Sequence, residues 1–340
     1  MNKSHPLRKV LAACAAVLLL TTSCGGGGSE EDGVQELDFG ITSFNALHLP
    51  LLMAREENLM RKYGIDLKFT VFQDTGKIIP ALLSGSLDIA TATPQQAFSA
   101  QDKEPDLKMI GAEVAKNPYS MYASSGIDSL ADIKGKTIGV AAVRGSADYF
   151  TAKLLLKAEG LKEKRDYNFI NAGPPPQRAS ALLEGQVDAV MSFPPDSEKL
   201  ADEGVKSIAT ASEVKTVGDE MLATIMAKES WYSDEDNHEF AVKFLRGYRA
   251  AVDWTYDAAN KGTAISIIQK EMKVSKKHAT ITYETFVEEL QAYPKDVLIG
   301  KTILENTAEN AKLAGAQDPP TSDSLPDRYD NSLVKEAAKK

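Results

Sequence analysis

Cysteine is almost absent from this chain: two in 340 residues, Cys14 and Cys24. Everything after residue 24 therefore lacks disulfide frameworks and Cys-based metal sites. Histidine is scarce too. His5, His48, His238 and His278 are the four, and no two stand at metal-ligand spacing. There is no nucleophile-elbow motif, no glycine-rich phosphate loop ending in lysine and no cysteine nucleophile in the folded part, so no catalytic constellation, cofactor motif or metal site emerges. Basic residues are outnumbered, 39 Lys and Arg against 48 Asp and Glu for a net charge of −9, which argues against nucleic acid held on a basic face.

Hydrophobic residues make up 43% of the chain, enough to bury a sizeable core and to fill two domains. Lys3, Arg8 and Lys9 lead an apolar run over 10–20 that is too short for an ordinary membrane span, and Thr21-Thr22-Ser23-Cys24 follows. This pattern predicts a secretory signal over 1–23. Without its three basic residues the balance is 36 basic to 48 acidic, a net of −12. The small residues before Cys24 and the glycines after it resemble the lipobox of bacterial lipoproteins, although Thr21 stands where that motif usually has Leu. The resemblance implies cleavage before Cys24 and its acylation, and more than one acyl chain suffices for stable membrane attachment. Gly25 to Gly28 and the polar residues after them read as a flexible tether over 24–36. The protein is expected to act outside the cytoplasm.

What is plainly present is a repeat. Residues 81–94 read ALLSGSLDIATATP and residues 181–194 read ALLEGQVDAVMSFP, so Ala, Leu, Leu, Gly, Asp and Pro recur at an offset of 100. In each copy the apolar end of a helix runs into Gly85 or Gly185, suited to a left-handed cap, and then into a short apolar strand opened by Asp88 or Asp188. Upstream, Phe39-Gly40-Ile41 matches Ile138-Gly139-Val140 at offset 99, and Asp66 with Phe69 matches Asp166 with Phe169 at offset 100. A β-α-β-α-β unit present twice predicts two lobes of one architecture with a cleft between them.

In open parallel sheets ligands gather outside the carboxyl ends of the strands, so the loops there hold the candidate residues. After a first strand over 37–42 come Ser43, Phe44, Asn45 and His48; Pro50 then opens a helix expected to end near Tyr63-Gly64. After a second strand over 65–72, Asp74 or Thr75 caps the next helix or presents its free N–H groups to the cleft. After the third strand, Thr93, Pro94 and Gln95 begin another helix. A strand over 107–114 precedes the first crossover. In the second half, Arg144, Gly145 and Ser146 open a helix over 147–159, where Gly145 permits close backbone approach, Ser146 caps or donates to an anion, and Arg144 pairs with an anion or with solvent. Phe193, at the second corner, offers an aromatic face to a ligand. Phe240, Phe244, Leu245, Tyr248 and Val252, on a helix over 237–258, read as core.

The run Leu130-Ala131-Asp132-Ile133-Lys134-Gly135-Lys136-Thr137-Ile138-Gly139-Val140, with Pro50, Ala54, Tyr63-Gly64-Ile65-Asp66 and the two corners, resembles the type II periplasmic-type binding proteins, in their nitrate/sulfonate/taurine and thiamine-precursor (SsuA/THI5-like) branch. The resemblance covers roughly 37–193. It implies an α/β fold of two lobes, periplasmic-binding-protein-like II, each a mostly parallel sheet flanked by helices and joined by two hinge crossovers. The expected organisation is 37–118 with 218–316 as the first lobe, 119–217 as the second, and 317–340 as a tail packing on the first.

It also implies a monomeric solute-binding subunit of an ABC importer, held to the membrane by its lipid and working with permease and ATPase subunits. Sulfonate binders of that branch hold anionic oxygens at a Gly-Ser turn like Gly145-Ser146, which favours an alkanesulfonate or taurine-like anion. Phe44, Phe193 and Asp74 favour a thiamine-precursor pyrimidine. Where the family usually shows Trp-Glu-Pro this chain has Phe193-Pro194-Pro195, so the family's carboxylate is missing there. Enzymes share the fold, among them pyrimidine synthases of the same branch, and a cofactor-biosynthesis enzyme is the alternative; those synthases carry a Cys-rich motif that this chain lacks.

Overall fold

The two glycines matched by the repeat, Gly40 and Gly139, explain how each half is closed. A Cβ on Gly40 would stand 2.6 Å from Leu87 Cδ1 and 3.2 Å from Phe72 Cε2, and one on Gly139 would stand 2.9 Å from Ala172 Cβ and 3.3 Å from Val187. Leu87 and Val187 are the residues of the two helix-to-strand corners, so each corner lies directly on the strand that carries the glycine and only glycine leaves room. The corners turn at Gly85 (φ +74°) and Gly185 (φ +70°), both left-handed. The repeat is thus a steric unit.

The structure is a computed structural model that describes residues 33–72, 75–213, 215–316 and 318–339. Residues Val34–Lys340 form one compact unit. The signal, Cys24 and most of the tether lie outside the described residues, as does Asp74.

Among the described residues ten strands form two sheets: β1 (Gln35–Ile41), β2 (Ile65–Val71), β3 (Ile89–Ala92), β4 (Leu107–Val114), β5 (Ser120–Ala123), β6 (Lys136–Val140), β7 (Tyr167–Asn171), β8 (Ala189–Ser192), β9 (Lys206–Thr210) and β10 (Ala223–Lys228). Their orders are β2-β1-β3-β10-β4 and β7-β6-β8-β5-β9. The fold is α/β and two-lobed, each sheet having four strands in one direction and one against them. The registers repeat as the sequence does: Phe39 pairs with Phe69 and with Ile89, and Ile138 with Phe169 and with Ala189.

The reversed strand in each sheet is the one delivered by a crossover. β10 returns from the second sheet to lie antiparallel between β3 and β4, and β5 enters from the first to lie antiparallel between β8 and β9. Two chain segments therefore join the lobes, one between β4 and β5 and one between β9 and β10.

Helices α1 (Leu49–Glu56), α2 (Ile78–Ser84), α3 (Pro94–Gln101), α4 (Ala147–Ala158), α5 (Pro175–Leu183) and α6 (Asp196–Asp202) flank the sheets. Against expectation α1 stops at Glu56, because Asn58 turns left-handed (φ +52°); a 3-10 turn over Arg61–Tyr63 then leads to Gly64 (φ +78°) and β2. The core of the first sheet is covered by α1 and by the helix Glu235–Tyr256, whose Phe244, Leu245, Tyr248 and Val252 are buried. Phe244 stacks on Phe39 at 5.8 Å. The last residues fold back on the first sheet: Tyr329 bridges to Met109, the amide of Asp330 donates to the Met109 carbonyl at 2.9 Å, and Leu333, Val334 and Ala337 are buried. Among the described residues no helix is long and apolar enough to cross a membrane.

Candidate functional site

The carboxyl ends of β1 and β3 face those of β6 and β7 across a cavity of about 320 Å³. Asn45, His48 and Thr93 reach it from the first sheet, and Ser146, Asp148 and Arg178 from the second. Tyr119, on one crossover, and Leu222, on the other, complete the wall.

Each polar residue is held by its own backbone context. Asn45 caps the 3-10 turn Ala46–His48: its Oδ1 accepts from the Leu47 amide at 2.9 Å, and its Nδ2 donates to the Ser43 carbonyl and hydroxyl at 3.2 and 3.0 Å. Thr93 caps α3 in a capping box with Gln96, and Pro94 supplies the first helical residue. Ser146 closes the turn before α4, its hydroxyl donating to the Ala142 carbonyl at 2.8 Å and accepting from the Ala142 amide at 3.0 Å.

Behind the first wall lies a buried acid-imidazole pair. His48 Nδ1 is 2.6 Å from Oε1 of Glu113, a residue of β4 with no exposed surface, and the Thr91 hydroxyl donates to Oε2 at 2.6 Å. The Tyr248 hydroxyl donates to the Glu113 carbonyl at 3.4 Å. With Nδ1 engaged, Nε2 is the nitrogen His48 has free to offer.

Behind the second wall lies a buried ion pair. Arg178 on α5, 1% exposed, sits 3.3 Å from Asp148 on α4, which has no exposed surface. Arg178 Nε donates to the Met191 carbonyl at 3.1 Å and Nη1 to the Gly173 carbonyl at 3.0 Å, while Asp148 accepts from the Ala141 amide at 2.7 Å. Nη2 of the arginine and Oδ1 of the aspartate have no protein partner. Burial pushes the Tyr119 phenol far up, the Asp148 charge adds to it and Arg178 opposes it. Tyr119 therefore meets the cavity as a neutral hydroxyl.

Of the residues expected from the sequence, the structure brings Asn45, His48, Thr93 and Ser146 to this cavity. Ser43 lies one step behind, as a partner of Asn45. Phe44 packs edge-on against Phe69 at 5.9 Å with the Arg55 guanidinium 5.1 Å from its ring. Pro94 is buried in the first turn of α3. Gln95, Arg144 and Gly145 line a separate groove between α2, α3 and the start of α4. Arg144, not Gly145, takes the left-handed conformation (φ +66°), and a Cβ on Gly145 would find nothing nearer than Ala142 at 3.7 Å. Phe193, 1% exposed, is wedged between Tyr119 and Phe286 at 5.0 and 5.7 Å. Thr75 opens the 3-10 turn Thr75–Lys77.

Sequence reasoning passed over Glu113, Asp148 and Arg178. A signal existed for the arginine: Ala181 and Leu182 stand three and four places beyond it, so Arg178 shares the buried stripe of α5. Among the described residues no cluster of His, Cys, Asp and Glu could hold a metal ion.

The sequence profile of the NMT1/THI5-like family matches residues 45–261, most of the chain. The protein belongs to the NMT1/THI5-like family. A comparison with curated proteins finds no match. Among solved structures, the ligand-binding component of an ABC-type import system from Staphylococcus aureus, with zinc bound, superposes with a TM-score of 0.74 at 18% identity, covering 90% of this chain and 100% of that one. The periplasmic nitrate-binding protein NrtA from Synechocystis PCC 6803 gives 0.72 at 16%, covering 90% and 88%. The alkanesulfonate-binding protein SsuA from Xanthomonas axonopodis pv. citri, bound to MOPS, gives 0.68 at 19%, covering 86% and 97%. At these identities the likeness establishes the fold: this family member has the two-lobed architecture of periplasmic solute-binding proteins.

Proposed function

We propose that this NMT1/THI5-like protein is the solute-binding subunit of an ABC importer. The observation that carries the reading is that each lobe delivers one buried polar pair, His48 with Glu113 and the ion pair of Arg178 with Asp148, to the walls of a single cavity. Such pairs are costly to bury, and buried ionisable groups in a cleft mark candidate functional sites. A solute entering between the lobes meets the His48 imidazole, Asn45 and Thr93 from one side and Ser146, Tyr119 and the Arg178 pair from the other. Because it touches both sides only when they are close, its binding energy favours closure about the two crossovers.

At about 320 Å³ the cavity is near the small end of the roughly 300–1,000 Å³ usual for ligand sites. That size suits a solute the size of taurine or an aminopyrimidine. An alkanesulfonate or taurine-like anion would place its oxygens at the Ser146 turn and the start of α4; a thiamine-precursor pyrimidine would use the donor and acceptor groups of both walls. The lobes in this reading are 37–118 with 218–316 and 119–217, the protein is a monomer, and a lipid on Cys24 holds it to the membrane beside its permease and ATPase. Enzymatic activity is not part of the reading.

A thermal-shift screen of alkanesulfonates, taurine, nitrate and thiamine-precursor pyrimidines tests it. A solute specific for the native state raises the melting temperature. A binder is expected among the sulfonates or the pyrimidines; turnover of any of them, with no equilibrium binding, would favour the enzyme alternative instead. For the anchor, labelled palmitate should appear on the wild type and not on Cys24→Ser.

A further inference from the structure

The two segments that join the lobes are pinned to each other by a buried carboxylate. Glu220, on the segment between β9 and β10, accepts from Asn117 Nδ2 on the segment between β4 and β5 at 2.6 Å, and from Asn310 Nδ2 on the helix Lys301–Leu313 at 2.9 Å. Asn117 also donates to the Thr151 hydroxyl of α4 at 2.9 Å, and its amide donates to the Gly218 carbonyl at 3.2 Å. One cluster of buried polar side chains thus ties both crossovers, a helix on the first lobe and a helix on the second.

We propose that the protonation state of Glu220 sets the preferred angle of the hinge, and through it how readily the solute cleft closes. This rests on the reading of the cleft as the solute site.

Both amides donate, one to each carboxylate oxygen, which is the arrangement an ionised Glu220 accepts best. Burial works the other way and favours the neutral acid, with Asn310 and then Asn117 opposing it, so that the group titrates at about 7. Among the described side chains no charged neighbour sets this balance. Lys116 and Asp219, the adjacent charges on the two crossovers, pair with each other at the surface. On the helix Lys301–Leu313, Lys301 pairs with Glu305 and Lys312 with Glu309; on α4, Asp148 faces Arg178, Lys153 pairs with Glu163 and Lys157 donates to the Leu313 carbonyl.

Burial outweighs the two amide donors, so on balance protonation favours the arrangement described here, with Glu220 dry. Deprotonation favours a hinge that admits water to it. The pH of an extracytoplasmic compartment would thus act on the hinge directly.

Small-angle scattering of the solute-free protein across roughly pH 5 to 9 reads this without any ligand. The wild type should change its radius of gyration along a one-proton transition as the pH rises toward about 7, the value Glu220 has in the buried arrangement. Glu220→Gln should hold the low-pH value throughout, and Asn310→Ala, which removes one opposing donor, should move the midpoint upward. A wild-type profile without a transition, a transition that survives in Glu220→Gln, or an unmoved midpoint in Asn310→Ala would each overturn the proposal; the last decides the matter even if Glu220→Gln fails to fold. If the transition is present while no screened solute binds, the hinge stands and the solute reading falls. If a solute binds and the transition is missing, the reverse holds.

Discussion

Nδ1 of His48 lies 2.6 Å from Oε1 of Glu113, across 65 residues of sequence and beneath the wall of the cavity. A carboxylate in that place fixes the ring and leaves Nε2 as the nitrogen not engaged by Glu113. Glu113→Gln should keep the shape and lose the charge-assisted bond, weakening solute binding by about 1.5–3 kcal/mol, roughly ten- to a hundredfold in Kd. Calorimetry on the solute found by screening reads the change directly. An unaltered Kd would remove His48 from the site.

Arg178 and Asp148 make the second test. Arg178→Met leaves Asp148 buried without its counter-charge and should destabilise the fold by about 3–5 kcal/mol. Adding Asp148→Asn should recover much of that loss, since no net charge then remains buried. Urea unfolding of the two single variants and the double variant gives the coupling. Strict additivity would mean that the two side chains do not act on each other.

The close corners give a third. Gly139→Ala puts a methyl group 2.9 Å from Ala172 Cβ and should cost about 1–3 kcal/mol through backbone displacement, whereas Gly145→Ala, with nothing nearer than 3.7 Å, should be tolerated. Thermal unfolding of both variants separates them. Equal melting temperatures would contradict the packing described.

The same comparison shows how much of the molecule was legible in its sequence. Gly40 and Gly139 stood out as matched residues because the corner that packs on each is repeated with them, and Gly85 and Gly185 because a left-handed cap is a local requirement. Local chemistry of that kind is written in a few adjacent letters. The cavity is not local. Phe193 occupies the end of a short buried strand where alternation carries no sign of direction, and it points between Tyr119 and Phe286 rather than into the cleft. Glu113 sits in the apolar run of β4 with no neighbour in sequence to announce its partner; only the sheet order, with β10 inserted beside β4, fixes the surroundings that bring His48 and Thr91 to it. Asn45, Thr93 and Ser146 were legible because capping loops and carboxyl-end loops are the same residues in this architecture.

The C-terminal residues supply a pH test of their own. His238 Nε2 lies 3.0 Å from Glu336 on the helix Ser332–Ala337, and that hydrogen bond holds the imidazole pKa above its ordinary value. A raised value means the stabilisation is complete below the unfolded-state pKa of about 6.5 and is lost as pH rises through the folded-state value. Both side chains are well exposed, so the effect should be a few tenths of a kcal/mol. Protection from hydrogen exchange at 332–337, taken relative to the intrinsic rate at each pH, should fall on going from mildly acidic to mildly alkaline buffer in the wild type and not in His238→Gln. Identical pH dependence in both would assign it elsewhere.

The central claim is that one solute sits between the lobes and touches both. Calorimetric titration of the screened solute into the wild type and into the Asn45→Ala/Ser146→Ala variant, one substitution from each side of the cavity, addresses it most directly. Single-site binding that falls at least tenfold in the variant, with the variant still folded, is the predicted result. Unchanged affinity in a folded variant would contradict the account.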